Sequence, residues 1–179
     1  NYEGDNLMPV QYTTDGTTSD NARIIQTVRT TKKDTASNST GSQSTWEFTG
    51  FNITITPKVA NHGILITGFV NIAVTGGGQN IVLGIRKSSS NVTSAMGDSS
   101  GSRRVGHSGQ FTSGDHGTCS CPVSFIDYPN STSAQTYYIQ ISHGSSATRT
   151  IYINRTVSDS NNAERARCVS TLVAQEIAS

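Results

Sequence analysis

From residue 23 onward, apolar and polar positions alternate with a period of two in short stretches, the pattern of half-buried β-strands. Ile24, Gln26 and Val28 alternate with Ile25, Thr27 and Arg29, so a strand begins near Arg23 and fades into residues 30–34. Residues 35–44 are mostly Ser, Thr and Asn with no apolar period and read as a loop. Over residues 51–56, Phe51, Ile53 and Ile55 share one face and Asn52, Thr54 and Thr56 the other, until Pro57 removes a ladder donor. Ile64, Ile66, Val70, Ile72 and Val74 then share a face, with Leu65 and Phe69 opposite and Gly68 as a bend or bulge in a central strand. The Gly76-Gly77-Gly78 turn leads into Ile81, Leu83 and Ile85, so residues 64–87 read as a hairpin.

Residues 87–117 are polar and Gly-rich, with isolated apolar residues such as Val92, Met96, Val105 and Phe111, and read as a long irregular loop of functional type. Strands resume over residues 118–126, 136–142 and 150–154. The last two are joined by His143, Gly144, Ser145 and Ser146, and Asp127 to Asn130 form a turn signal. The C-terminal run fits both periods: Val169, Leu172, Val173 and Ile177 are spaced for a helix, and Val169, Thr171, Val173, Gln175 and Ile177 for a strand. Seven or eight strands at this spacing predict an all-β, antiparallel two-sheet sandwich over residues 22–179. Residues 1–21 show no sustained period beyond the cluster Leu7-Met8-Pro9-Val10 and read as an extended linker or docking arm.

Composition sharpens this. With 15 Ile and 12 Val against 4 Leu, the chain favours pleated surfaces over helices. Ile, Val, Leu and Phe total 36 of 179 residues, a thin core of the kind often supplemented by an oligomer interface. The 13 Lys and Arg balance 12 Asp and Glu, which leaves no basic stripe for a nucleic-acid partner. The longest nearly apolar run, Gly63 to Val74, is broken by Thr67, Gly68 and Asn71, so no membrane insertion is expected. The start at Asn1 has no signal-peptide order, and a fragment or processed chain is expected.

The candidate chemistry is sparse. Gly97-Asp98-Ser99-Ser100-Gly101 resembles a serine-protease nucleophile turn, but the only upstream histidine, His62, lies in a turn-like stretch, so no catalytic residue is expected. Cys119-Ser120-Cys121 has the wrong spacing for zinc, and no metal or other cofactor is expected. On a strand Cys119 and Cys121 share a face with Cα atoms about 6.6 Å apart, where a bridge is strained; pairing of either with Cys168, or three thiols as small core groups, are the alternatives. His62, His107, His116 and His143 each adjoin a glycine and read as exposed loop histidines. Arg103-Arg104 forms a small basic patch that suits an anionic glycan or is ordinary solvated charge. The five Asn-x-Ser/Thr sequons, at Asn38, Asn52, Asn91, Asn130 and Asn154, are close to the three or four that chance gives in roughly this composition.

Several segments together resemble a β-rich module of virion proteins in marine tailed bacteriophages, of the cyanophage type, from tail fibres and other surface appendages. They are Ile24-Ile25-Gln26-Thr27-Val28-Arg29-Thr30, Phe51-Asn52-Ile53-Thr54-Ile55-Thr56-Pro57 and Ile64-Leu65-Ile66. Ala134-Gln135-Thr136-Tyr137-Tyr138, Ile151-Tyr152-Ile153-Asn154-Arg155 and Ser170-Thr171-Leu172-Val173-Ala174-Gln175-Glu176-Ile177 complete the likeness, which spans residues 22–178. The resemblance implies a jelly-roll-like sandwich of tumour-necrosis-factor-like outline, often trimeric and displayed on a particle, and it turns the C-terminal run towards a strand. It carries over no catalytic residue.

The function expected is therefore that of a non-enzymatic virion structural protein, a surface-displayed fibre or appendage domain that binds a host receptor or glycan through Arg103, Arg104, His107 and His116. The alternative is a capsid decoration or assembly module docked to other virion proteins through residues 1–21. A homotrimer at the virion surface is expected in either case.

Overall fold

In the computed structural model, residues 23–42, 45–88, 90–112 and 114–178 are described, and the arm over residues 1–21 lies outside them. Alternating Ile and Val build β1 (Ile24–Lys32), β2 (Ala36–Thr40), β3 (Thr45–Ile55), β4 (Gly63–Val74) and β5 (Gln79–Lys87). They are followed by β6 (Ser90–Asn91), a single 3-10 turn (Thr93–Ala95), β7 (Ser108–Thr112), β8 (Cys119–Asp127), β9 (Gln135–His143), β10 (Arg149–Ile153) and β11 (Ser170–Ile177). No helix among the described residues is long and apolar enough to cross a membrane.

Several strands work as one. β1 pairs with β11 down to Lys32↔Ser170, and β2 resumes against β10 from Ala36↔Ile153, so β1 and β2 form one broken row and β10 and β11 another. On β5, the short β6 and β7 share one edge while β9 takes the other. Among the described residues this makes eight rows in chain order. The first sheet then reads β1/β2, β10/β11, β4, β8, and the second β3, β9, β5, β6/β7. Rows 1-8-3-6 face rows 2-7-4-5, all antiparallel, which is the strand order of a jelly roll.

The core lies between the sheets. Ile64, Ile66, Val70, Ile72 and Val74 of β4 face Ile81, Leu83 and Ile85 of β5 and Tyr137, Ile139 and Ile141 of β9, all at most 1% exposed. The C-terminal run is a strand, with Leu172, Ala174 and Glu176 buried at every second position. A bulge in β3 between Phe48 and Asn52 reverses the parity of the strand, so that Phe48 and Phe51 are both buried. That reversal explains why the period-two pattern is clean only from Phe51.

Three sequence expectations about strands and loops need correction. Residues 35–44 are not simply loop: β2 forms there because β10 supplies a full ladder, and only Thr40 of its residues is buried. Residues 64–87 are not a hairpin, because β8 and β10/β11 occupy both edges of β4 and the glycine turn carries β5 into the opposite sheet. β9 and β10, consecutive in the chain, also belong to different sheets. Residues 87–117 contain β6, the 3-10 turn and β7.

Gly68 is not a bulge. Register runs unbroken through Gly68↔Leu172 and Gly68↔Val123, and its φ of 149° is what matters. A Cβ there would run into the Thr171 carbonyl oxygen, so only glycine lets β11 approach.

Candidate functional site

The connection from β6 to β7 folds back over the outer face of the second sheet. Gly97 N–H donates to Gly106 O (3.0 Å), His107 N–H donates to Leu83 O (2.6 Å), and a Cβ on Gly106 would strike the Val82 side chain. Because Ile81 and Leu83 point inward, Asn80 and Val82 point outward, and the pairs Asn80↔Phe111 and Val82↔Gly109 place Phe111 and Gly109 on that same face.

Between the returning loop and β7 lies an open cleft of about 490 Å³. Arg103, Arg104, Asn80 and Phe111 line it, above the strand positions Val82, Gly109 and Gln110. The Phe111 ring packs its far end against Gly78 and is still 59% exposed. Arg103 is steadied by Nη1–H bonds to Ser100 Oγ (3.0 Å) and Ser100 O (3.4 Å). Arg104 sits deeper, and its Nη1 is sealed from solvent with no acceptor among the described residues. Burial lowers the pKa of this guanidinium from its ordinary value. Gly144 leaves the room it occupies, since a Cβ there would lie 2.9 Å from Arg104 Nη2.

Of the residues singled out from sequence, Arg103 and Arg104 come together in this cleft; His107 and His116 do not line it. His107 is half-buried and braces the loop. Its Nδ1 meets Ala95 O at 2.8 Å and its Nε2 accepts the Ser124 N–H at 2.9 Å, which makes Nδ1 the protonated nitrogen. His116 is exposed in the β7–β8 turn, 4.0 Å from Glu164. Phe111 and Asn80 escaped the sequence reading because their meeting in this cleft depends on the β5–β7 pairing.

The histidines do not all lie exposed in loops, as their glycine neighbours suggested. His143 is the last residue of β9 and is fully buried, with neither ring nitrogen bonded among the described residues. Burial, helped by the charges of Arg104 and Arg149, lowers its pKa. His62 is held against the buried carboxylate of Glu176 at 2.8 Å.

Ser99 is exposed in the loop. Cys119, Cys121 and Cys168 are all free thiols. The hydrogen bond with Cys119 and burial raise the pKa of Cys121, which is fully enclosed in the core. No group of three His, Cys, Asp or Glu side chains suited to a metal occurs among the described residues. Asn154 is fully buried at φ 61°, bonded to Lys32 O (2.8 Å), Asp34 O (3.0 Å) and Ser170 Oγ (2.6 Å), so its sequon is closed to modification in the folded chain.

No protein-family model and no curated protein matches the chain. Among solved structures, infectious bursal disease virus of the Gx strain is similar with a TM-score of 0.47 and 14% identity, over 94% of this chain and 42% of that one. The Gt strain gives 0.47 and 12% over 96% and 43%, and the VP2 subviral particle of the same virus 0.42 and 13% over 96% and 42%. This chain thus spans about two fifths of the length of those it matches. The jelly-roll assignment rests on the strand order itself.

Proposed function

We propose that this chain is a non-enzymatic structural domain of a virus particle, displayed at the particle surface, where it meets a host receptor or glycan. The observation that carries this is the pairing of a jelly-roll strand order, an architecture of capsid and lectin domains, with an open basic cleft on an outer sheet face. A filled core makes the sandwich a rigid mount, and the loop that forms the cleft supplies the contact. Arg103 and Arg104 are the contact residues, with His116 at the neighbouring turn and His107 holding the loop in shape.

A homotrimer, with residues 1–21 docked to other virion proteins, belongs to the same proposal. It is supported by the outer face of the first sheet, where Phe69 and Ile126 are 38% and 40% exposed, in rows that also hold Pro122, Leu65 and Val173. Light scattering that finds a stable monomer at micromolar concentration would count against the trimer.

The receptor role is tested by competition. Purified domain pre-incubated with host cells should lower adsorption of the particle in a dose-dependent way. Unchanged adsorption at saturating domain would remove the receptor role.

A further inference from the structure

We infer that the cleft beside Phe111 is a binding site for an acidic saccharide, a sugar bearing a carboxylate or sulfate group; this rests on the surface-displayed reading above. The first observation is the unpartnered donor. Arg104 Nη1 is enclosed without an acceptor among the described residues, so the charge of this guanidinium is uncompensated, and an anion held against the part of the side chain that lines the cleft would offset it. Glu or Asp does not supply one, since neither is among the residues lining the cleft.

The second observation is the arrangement around that donor. A guanidinium fork binds a planar carboxylate or a sulfate through paired N–H bonds, and Arg103, next to Arg104 in the chain, lines the same cleft. In the same cleft, the exposed Phe111 ring offers an apolar face to the C–H face of a sugar ring. The amide of Asn80, on the same face as Phe111, both gives and accepts hydrogen bonds, as sugar hydroxyls require. A cleft of about 490 Å³ suits one or two sugar rings. An anion alone would need the arginines but not the aromatic ring or the Asn80 amide.

The test is titration of the full chain with 3′-sialyllactose and with a sulfated heparin disaccharide, against neutral lactose and inorganic sulfate, by calorimetry or ligand-observed NMR. At least one acidic sugar should bind, and the arm that does so identifies carboxylate or sulfate as the group read. Neutral lactose and free sulfate should each bind at least about tenfold more weakly, the loss of one charge-assisted bond or of the stacked ring. Arg104→Gln and Phe111→Ala should each weaken the acidic sugar by about tenfold or more, whereas Phe111→Tyr should retain binding. Thermal melting of each variant checks that it is folded, and Phe111 is exposed enough to be replaced without loss of core.

Absence of binding by both acidic sugars, equal binding of free sulfate, or binding indifferent to both substitutions in folded protein overturns the assignment. These outcomes are separable from failure of the virion reading. A sugar-binding chain absent from any particle would sink that reading and leave the site, and a particle-borne chain that ignores acidic sugars would do the reverse.

Discussion

Glu176 makes the sharpest stability prediction. Its side chain points into the end of the sandwich and is 0% exposed, yet five contacts hold it. Oε1 accepts from Lys58 N–H (2.9 Å), Val59 N–H (3.1 Å) and His62 Nδ1 (2.8 Å), and Oε2 accepts from Gln26 Nε2 (2.6 Å) and Lys58 N–H (3.0 Å). The carboxylate thereby clamps the β3–β4 turn and β1 onto β11. Burial alone raises its pKa; the bonds from Lys58, Gln26, His62 and Val59 outweigh burial and bring it from 4.5 down to about 2.

A folded pKa below the unfolded value means that this stabilisation is present above about pH 4.5 and is lost as pH falls towards 2. The difference from 4.5 to about 2 corresponds to roughly 3 kcal/mol, and nearer 2 kcal/mol after screening through the exposed turn above it. Glu176→Gln turns an acceptor into a donor facing backbone N–H groups and should cost about 2–4 kcal/mol at pH 7, or roughly 5–15 °C in Tm. The assay is thermal unfolding of wild type, Glu176→Gln and His62→Gln from pH 7 to pH 2. The wild type should lose its advantage over Glu176→Gln between pH 4.5 and 2, and His62→Gln should keep most of that pH dependence, because three other donors remain. Parallel curves for wild type and Glu176→Gln would refute the clamp.

Asn154→Ala strips donors from Lys32 O and Asp34 O and forces alanine to φ 61°, so it should cost about 3 kcal/mol, with Asn154→Gly about 1 kcal/mol milder; equal losses in chemical denaturation would remove the backbone part of this. Gly68→Ala drives a Cβ into the Thr171 carbonyl and should lower stability by 3 kcal/mol or roughly more, a loss that a melting curve like the wild type's would contradict. Ile139→Ala empties a fully enclosed site and should cost about 2–5 kcal/mol by the same denaturation assay. Cys121 should resist alkylation in the folded chain and react only on unfolding, whereas Cys119 and Cys168, each half-buried, should label first; mass spectrometry of partially labelled protein decides this.

Much of the fold is legible wherever side chains alternate. β4, β8, β9 and β11 are visible because one face of each is Ile, Val, Leu, Phe or Tyr and meets the other sheet. β2 is invisible because Ala36-Ser37-Asn38-Ser39-Thr40 has almost nothing to bury and is held by backbone pairing to β10. β7 is hidden for a similar reason: its single large apolar residue, Phe111, points outward. The glycine turn over residues 76–78 marks a reversal but does not say which sheet the next strand joins; the occupied edges of β4 decide that. In the cleft, the adjacent arginines stand out in sequence, whereas Asn80 and Phe111, opposite each other across a strand pair, are thirty-one positions apart along the chain.

The central claim is that this jelly roll stands on the outside of a virus particle. Gold-labelled antibody raised against the purified chain, applied to intact particles from infected cells and viewed by electron microscopy, tests it most directly. Label on the outer surface of intact particles is the predicted result, at the tail for an appendage domain and along the shell for the decoration alternative. Particles that stay unlabelled, and that contain no trace of the chain after disruption, would contradict it.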